Sequence, residues 1–105
     1  MEKWNNQKTT ALIKALLALN KDSEARNFLR DLLTERELVE FGNRWKAAQM
    51  LNQKLSYPEI QKATGLSTRT IARISDWLQN GKGGYQSMLK KLNHRQNSSH
   101  LKKKF

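Results

Sequence analysis

The residues with the clearest potential for chemistry lie in "GLSTRTIAR", residues 65–73, where two threonines and two arginines follow a glycine. An arginine guanidinium can donate two parallel hydrogen bonds to O6 and N7 of guanine, and threonine can contact a thymine methyl group or a base edge. Such groups act by binding rather than by catalysis. The stretch is therefore either an ordinary corner between two helices or a device that places a helix in a groove of DNA.

Residue types typical of enzymes and metal sites do not form a recognisable pattern. The chain has no cysteine, and its two histidines, His94 and His100, lie in a polar C-terminal segment far from any cluster of acids. There is no Ser/His/Asp set, no glycine-rich phosphate loop and no enclosed pair of carboxylates. We therefore predict no enzymatic activity, no metal and no cofactor.

Positive charge is concentrated in the second half of the chain. Residues 1–53 contain nine Lys/Arg and seven Asp/Glu, whereas residues 54–105 contain eleven and two, for a net charge of +11 overall. This asymmetry indicates a polyanionic partner, either a nucleic acid or an anionic membrane surface. The start, "MEKWNNQKTT", lacks the apolar core of a signal peptide, and no apolar run approaches the roughly 20 residues of a membrane span. We predict a cytoplasmic protein with no membrane association.

The length and the apolar pattern predict one small all-α domain. With 105 residues, 37% of them hydrophobic, a single chain buries little surface, so we expect association to contribute to stability. Apolar periodicity and capping patterns predict about six helices. They cover residues 7–19, a second helix capped by Asp22 or Ser23, residues 35–52 after a Thr34 capping box, and residues 56–65, 67–80 and 85–92. The domain then spans 1–92, and the basic tail 93–105 is expected to be disordered.

The segment from about residue 56 to 80 meets the requirements of a helix-turn-helix. Gly65 tolerates a positive φ after the first helix, Leu66 can fill the angle between the helices, and Ser67 can cap the second helix. Trp45 and Trp77 lie on the apolar stripes of their helices and are predicted to be core anchors rather than base-stacking platforms. The inward apolar positions are predicted to be Ile60, Ala63, Ile71 and Ile74.

If Ile71 and Ile74 face inward, the opposite face of the second helix is free to contact DNA. Gln61 stands where a buried alanine is usual, so either the helices cross more openly or Gln61 faces the DNA. The predicted base contacts are Thr68, Arg69, Ala72 and Gln61. The predicted phosphate contacts are Lys54, Tyr57, Lys62, Ser67, Thr70, Arg73 and Lys82.

Two longer stretches, "LLTERELVEFGNRWKAAQML" and "SYPEIQKATGLSTRTIAR", resemble the tryptophan repressor superfamily, and most closely its YerC/YecD-type branch. The similarity covers about residues 28–80, with "LLT", "GNR" and "TIAR" in the family's order and nearly its spacing. One residue is missing between the long helix and the Ser56 cap. The resemblance implies an intertwined homodimer with six helices per chain. It also implies a transcriptional regulator, expected to be a repressor, whose two reading heads contact successive major grooves of double-stranded DNA.

The resemblance also raises the question of an effector. In the tryptophan repressor, two arginines and a threonine surround the amino acid, and Arg44, Arg73 and Thr34 match those positions. Two small residues of that pocket are replaced here by Ile74 and Trp77, which would occupy the volume that the ligand needs. We therefore predict DNA binding without tryptophan as corepressor. The alternative is a reshaped pocket that accepts another small-molecule effector.

Two other functions compete with a DNA-binding regulator. An RNA-binding helical protein would use the basic tail as its main contact, but the deep major groove of A-form RNA does not readily admit side chains. A protein-interaction module would use the apolar helix stripes. Binding to genomic DNA fragments, to RNA or to neither distinguishes the three hypotheses.

Overall fold

The computed structural model describes residues 2–93, which form six α-helices joined by short turns and contain no β-strand. The helices are α1 (Gln7–Ala18), α2 (Asp22–Leu32), α3 (Glu35–Asn52), α4 (Tyr57–Thr64), α5 (Thr68–Asn80) and α6 (84–93). The prediction of an all-α chain with about six helices is therefore confirmed. Of the predicted disordered tail, all but residue 93 lies outside the described residues. None of the six helices is long and apolar enough to cross a membrane.

The chain divides into two compact units, residues up to 39 and residues from 40 onward. The first unit contains α1 and α2, and neither helix has a buried residue. The second unit contains α4, α5 and α6 with most of α3, and it holds the buried apolar core. The prediction of one domain over residues 1–92 stays a prediction.

Local capping determines where the helices of the first unit begin. Asn6 caps α1 through its side chain, which accepts a hydrogen bond from the Thr9 amide at 3.0 Å. The prediction that Asp22 or Ser23 caps α2 is wrong, because α2 already includes Asp22 and its cap residue, Lys21, makes no side-chain capping bond. The Asp22 carboxylate instead accepts a hydrogen bond from Arg26 one turn further on, at 2.7 Å.

The capping box that precedes α3 is confirmed. The Thr34 hydroxyl accepts from the Glu37 amide at 3.1 Å, and the Glu37 carboxylate accepts from the Thr34 amide at 2.9 Å. Two backbone donors that an α-helix leaves unpaired at its start are thereby satisfied. The first turn of α3 is fixed locally, without help from tertiary packing.

The core of the second unit forms where α3 meets the α4–α5 pair. Ala47 and Ala48 in α3 are fully buried, as are Ile60 in α4 and Ile71 and Ile74 in α5. Because alanine side chains are short, the three isoleucines can fill the space beside α3 at the density of a protein interior. Partly buried side chains surround this cluster, namely Trp45, Leu51, Leu55, Leu66 and Tyr85. The core thus holds α5 against α3.

The end of α3 has the hydrogen-bond pattern of a Schellman motif. The Leu55 amide donates to the Met50 carbonyl at 3.1 Å, and the Lys54 amide donates to the Leu51 carbonyl at 3.0 Å. Lys54 lies in the left-handed region with φ = 66°, at the position where such motifs usually have glycine. Leu55 packs against the core, so α4 starts in a fixed position relative to α3.

We expect Ile74→Ala to lower the free energy of unfolding by about 2–5 kcal/mol, because it removes a fully buried side chain from the centre of the core. Urea denaturation measures this difference. The exposed Gln79 on the same helix provides a control, since Gln79→Ala should change stability by no more than about 0.5 kcal/mol. Equal effects of the two substitutions would contradict the observed packing of α5.

Candidate nucleic-acid interface

The first helix of the corner, α4, begins with a complete capping box. The Ser56 hydroxyl accepts from the Glu59 amide at 3.3 Å, and the Glu59 carboxylate accepts from the Ser56 amide at 3.1 Å. Pro58 lies in the first turn, where its missing N–H leaves no hydrogen bond unmade. The predicted start signal is therefore confirmed, and it uses the carboxylate of one of the two acids in residues 54–105.

The turn after α4 depends on the backbone of Gly65. This residue has φ = 73° and ψ = 4°, and its amide donates to the Gln61 carbonyl at 2.8 Å. A Cβ atom built on Gly65 would meet no atom within 4 Å, so the left-handed backbone rather than lack of space favours glycine here. The sequence prediction for Gly65 is confirmed.

In α4, Thr64 is the buried residue next to the corner, whereas Ala63 is exposed. The prediction of Ala63 as an inward position is therefore wrong. A four-residue step from Ile60 reaches Thr64, and its hydroxyl donates to the Ile60 carbonyl at 2.8 Å and accepts from the Leu66 amide at 3.2 Å. Because both backbone bonds satisfy the hydroxyl, a threonine can be buried here, and it fixes Leu66 against the core.

The second helix, α5, begins at a serine cap, as predicted. The Ser67 hydroxyl accepts from the Thr70 amide at 3.1 Å and donates to the Thr70 hydroxyl at 3.1 Å. Both hydroxyls are thus engaged with one another at the start of the helix. Ile71 and Ile74 are fully buried, which fixes the rotation of α5 about its own axis.

The rotation of α5 leaves the four predicted base-contacting residues on the surface. Thr68, Arg69 and Ala72 are exposed on α5, and Gln61 is exposed on α4. Among residues 2–93, Arg69 has no ion-pair partner, so its guanidinium is available to a ligand. The assignment of these residues to base contacts remains a prediction.

The predicted phosphate contacts occupy several elements of the second unit. The α3–α4 corner carries Lys54, α4 carries Tyr57 and Lys62, and Lys82 follows α5; all four are exposed. Ser67 caps α5, and Thr70 and Arg73 lie within that helix. Ser67 and Arg73 are exposed, whereas Thr70 is half-buried. The assignment of these seven residues also remains a prediction.

Acidic groups near the corner are few and already engaged. Apart from the Glu59 carboxylate in its capping box, the segment from 56 to 80 contains only Asp76, which accepts a hydrogen bond from the Asn80 side chain at 3.0 Å. Residues 54–82 contain five lysines and arginines against these two acids, so the corner and its flanks carry a net charge of +3, as binding to a polyanion requires.

The residues matched to an effector pocket have different surroundings. Arg44 lies 3.7 Å from the Glu40 carboxylate and 5.9 Å from the centre of the Phe41 ring, and within the described residues its buried Nε has no hydrogen-bond partner. Arg73 is exposed on α5. Thr34, in the other compact unit, uses its hydroxyl in the capping box of α3. These side chains thus have structural contacts of their own or face solvent.

The two large residues expected to fill the pocket behave differently from one another. Ile74 is fully buried in the core, but Trp77 is 41% exposed and lines an open apolar cavity of about 670 Å³ with Trp45, Tyr85 and Met88. The prediction that Trp77 is a core anchor filling an enclosed volume is therefore wrong for the single chain. Ile71 and Ile74 already fill the space beside α3, so Trp77 lies on the flank of α5 next to the glycine-rich turn.

Two features of this region were missed by sequence reasoning. Gly81 is required by close approach, because a Cβ atom there would lie 2.4 Å from the Trp77 carbonyl oxygen. The stacking of Trp45 on Tyr85, with ring centres 6.3 Å apart and planes inclined by 22°, joins α3 to α6. The four-residue stretch "GKGG" signals a turn, but no sequence signal indicates which of its glycines is sterically necessary.

Comparison with known proteins identifies relatives of this architecture. The Trp repressor protein family matches residues 7–93. A protein of Bacillus subtilis (strain 168) described as "Uncharacterized protein YerC" is 28% identical over 102 residues, which cover 97% of this chain and 98% of the relative.

Solved structures give the same result. A TrpR-like protein from Eubacterium eligens is 33% identical with a TM-score of 0.83, and the match covers 87% of this chain and 94% of that one. A structure from Staphylococcus aureus is 32% identical with a TM-score of 0.81 and covers 87% and 91%. The resemblance in the stretches 32–51 and 56–73 thus extends over the whole helical region, and the chain belongs to the Trp repressor family.

Proposed function

We propose that this protein is a sequence-specific DNA-binding regulator of transcription, acting as a repressor in the cytoplasm through the α4–α5 helix-turn-helix. The observation that carries the proposal is the exposed, unpaired Arg69 beside Thr68 and Ala72, on a helix whose rotation is fixed by two fully buried isoleucines. A rigid helix with one exposed polar end suits the major groove of B-form DNA. Family membership supports DNA binding but not the choice of target.

The structure favours DNA over the two competing functions. RNA recognition usually relies on aromatic platforms or on single-stranded loops, and the exposed side chains of the α5 start are not aromatic. A protein-interaction module has no need for a corner with an excess of positive charge. Gel-shift assays that prefer particular genomic DNA fragments would support the regulator, whereas preference for RNA, or no binding, would favour the alternatives.

We also infer that the protein acts as a homodimer, since the first unit has an apolar surface and no core. In α1, Leu17 is 80% exposed, and Ile13 and Leu16 are also exposed. Helices of 12 and 11 residues are marginal in water unless an apolar face is packed. A second copy of the chain, intertwined with the first, would cover these faces. It would also place two reading heads about one DNA turn apart, roughly 34–36 Å.

Tryptophan is not expected to be the corepressor. Ile74 occupies the position that leaves room for the indole ring in the tryptophan repressor, and it is part of the packed core, so it cannot move aside without opening a cavity. The core itself then holds α5 at the angle at which it would contact DNA. The alternative is that a small molecule other than tryptophan acts as the effector. Without any effector, DNA binding would be regulated by the concentration of the protein alone.

We expect Arg69→Ala to weaken binding to the specific operator by about 1–3 kcal/mol and to relax the preference at one base pair, because a bidentate contact to guanine is lost. Selection of bound sequences from a random DNA pool, followed by titration of the selected site, measures both effects. Arg36→Ala, which removes an exposed arginine from α3, controls for the change in charge. An unchanged specific affinity after Arg69→Ala would show that the reading face is misassigned.

We expect the protein to sediment as a dimer at micromolar concentrations, with a melting temperature that rises with protein concentration. Leu17→Glu should weaken dimerisation at least tenfold, because a buried leucine contributes about 1.5–3 kcal/mol. Analytical ultracentrifugation gives the dissociation constant, and Leu17→Met, which keeps an apolar side chain, is the control. A stable monomer that retains its full helix content would refute the dimer.

Titration calorimetry of the protein with L-tryptophan should give no saturable heat, because Ile74 fills the space for the ring. The Arg44→Ala variant is titrated in parallel, because any heat that it still gives comes from binding outside the residues matched to the tryptophan pocket. Micromolar binding that Arg44→Ala abolishes would mean that the pocket persists in altered form.

A further inference from the structure

A second cavity, of about 480 Å³, lies in the second unit between the end of α3 and the facing surfaces of α5 and α6. Its volume falls within the roughly 300–1,000 Å³ typical of small-molecule sites. Leu51, Leu55, Leu78 and Leu89 contribute its apolar wall. The polar lining consists of Asn52, Lys54, Ser75, Gln79, Gln86, Lys90 and Asn93. We call this feature the α3–α6 cavity.

The charge of the α3–α6 cavity is entirely positive. Lys54 and Lys90 contribute two ammonium groups, and none of the described residues that line the cavity carries a carboxylate. Within residues 2–93, neither lysine forms an ion pair. Two uncompensated cations surrounded by amide and hydroxyl groups form a site that favours an anion with several oxygen acceptors.

The backbone of Lys54 fixes where its side chain starts. Lys54 has φ = 66° at the C′ position of the Schellman motif that ends α3, a conformation that glycine would adopt at no steric cost. The motif therefore holds Lys54 at the wall of the α3–α6 cavity.

The wall of the cavity includes residues of α5. The Gln86 side chain in α6 donates to the Leu78 carbonyl in α5 at 2.6 Å, which ties the two helices together. Ser75 and Gln79 follow Thr68 and Ala72 at helical steps of three and four residues, so they lie on the same face of α5. A ligand in the cavity would therefore contact the helix that carries the proposed reading residues.

We propose that the α3–α6 cavity binds the phosphate ester of a nucleotide. Lys54 and Lys90 would contact the phosphate oxygens, and the amides of Gln79 and Asn93 would contact hydroxyl or base groups. The nucleotide is one that is free in solution. Lys54 is already among the predicted DNA phosphate contacts, so only binding of a free nucleotide goes beyond the proposed function.

The test titrates the full-length protein with adenosine 5′-monophosphate, with adenosine as the control that lacks phosphate, and separately with duplex DNA. Lys54→Gly and Lys90→Gln each remove one cation from the cavity. Lys8→Gln, on the exposed surface of α1, changes the net charge equally. Backbone NMR shifts of Ser75 and Gln79 report whether the ligand occupies this cavity. Thermal melts of each variant accompany the titrations, and Lys54→Gly is expected to melt no lower than the parent because it relieves the positive φ.

Binding of the free nucleotide is expected to shift the NMR signals of Ser75 and Gln79. The affinity for the nucleotide should fall about tenfold in Lys54→Gly and in Lys90→Gln and should not change in Lys8→Gln. Adenosine should not bind. If only DNA binds, or if neither variant weakens nucleotide binding, the proposal is overturned, because a phosphate contact by Lys54 to DNA is already part of the proposed function.

The proposal is overturned if both variants behave like Lys8→Gln in both titrations, or if nucleotide binding leaves the two NMR signals unmoved. These outcomes are separate from a failure of the proposed function. A protein that binds nucleotide but no DNA would refute the regulator and support the cavity, whereas loss of specificity in Arg69→Ala alone would support the regulator.

Discussion

The structure depends on one constraint, the left-handed backbone at Gly65 held between a buried threonine and a half-buried leucine. Thr64 bonds to the backbone on both sides of the corner, and Leu66 packs on the core beside α3. The angle between α4 and α5 is therefore set by backbone geometry and packing together. Every surface assigned to DNA follows from that angle, because it decides which residues of α5 face outward.

The two compact units differ in what makes them stable. The second unit has a dense core in which Ile60, Ile71 and Ile74 are fully buried. The first has no buried residue in α1 or α2, so its helices need an apolar partner. This difference is the physical basis for proposing that the first unit serves association while the second serves recognition. Coupling of the two would make DNA affinity depend on protein concentration.

Charge is distributed to suit a polyanion on more than one surface of the second unit. Residues 54–82 contain five lysines and arginines but only two acids, Glu59 and Asp76, so the local potential is positive. The α3–α6 cavity carries the same sign and is lined by Ser75 and Gln79, further along the same face of α5. If both surfaces bind, occupancy of the cavity can stabilise the helix that reads bases, and regulation follows from a contact within the same unit.

The sequence by itself determined the local features of the protein. The six helices, the capping boxes at Thr34 and Ser56, and the turn at Gly65 depend on residues within a few positions of one another, and each was predictable. The family was also predictable, because its motifs occur in the same order along this chain. Whether a given residue touches DNA is not decided by such local rules, and those assignments remain predictions.

Only the tertiary structure decided which side chains are buried and which share a cavity. Thr64 rather than Ala63 turns inward because α4 packs on α3 at that angle, and Trp77 is exposed because the isoleucines already fill the core. Lys54 and Lys90 are 36 positions apart and meet at one cavity only because α3 and α6 pack side by side. Sequence periodicity predicts which face of a helix is apolar. The element that packs against that face depends on how the whole unit folds.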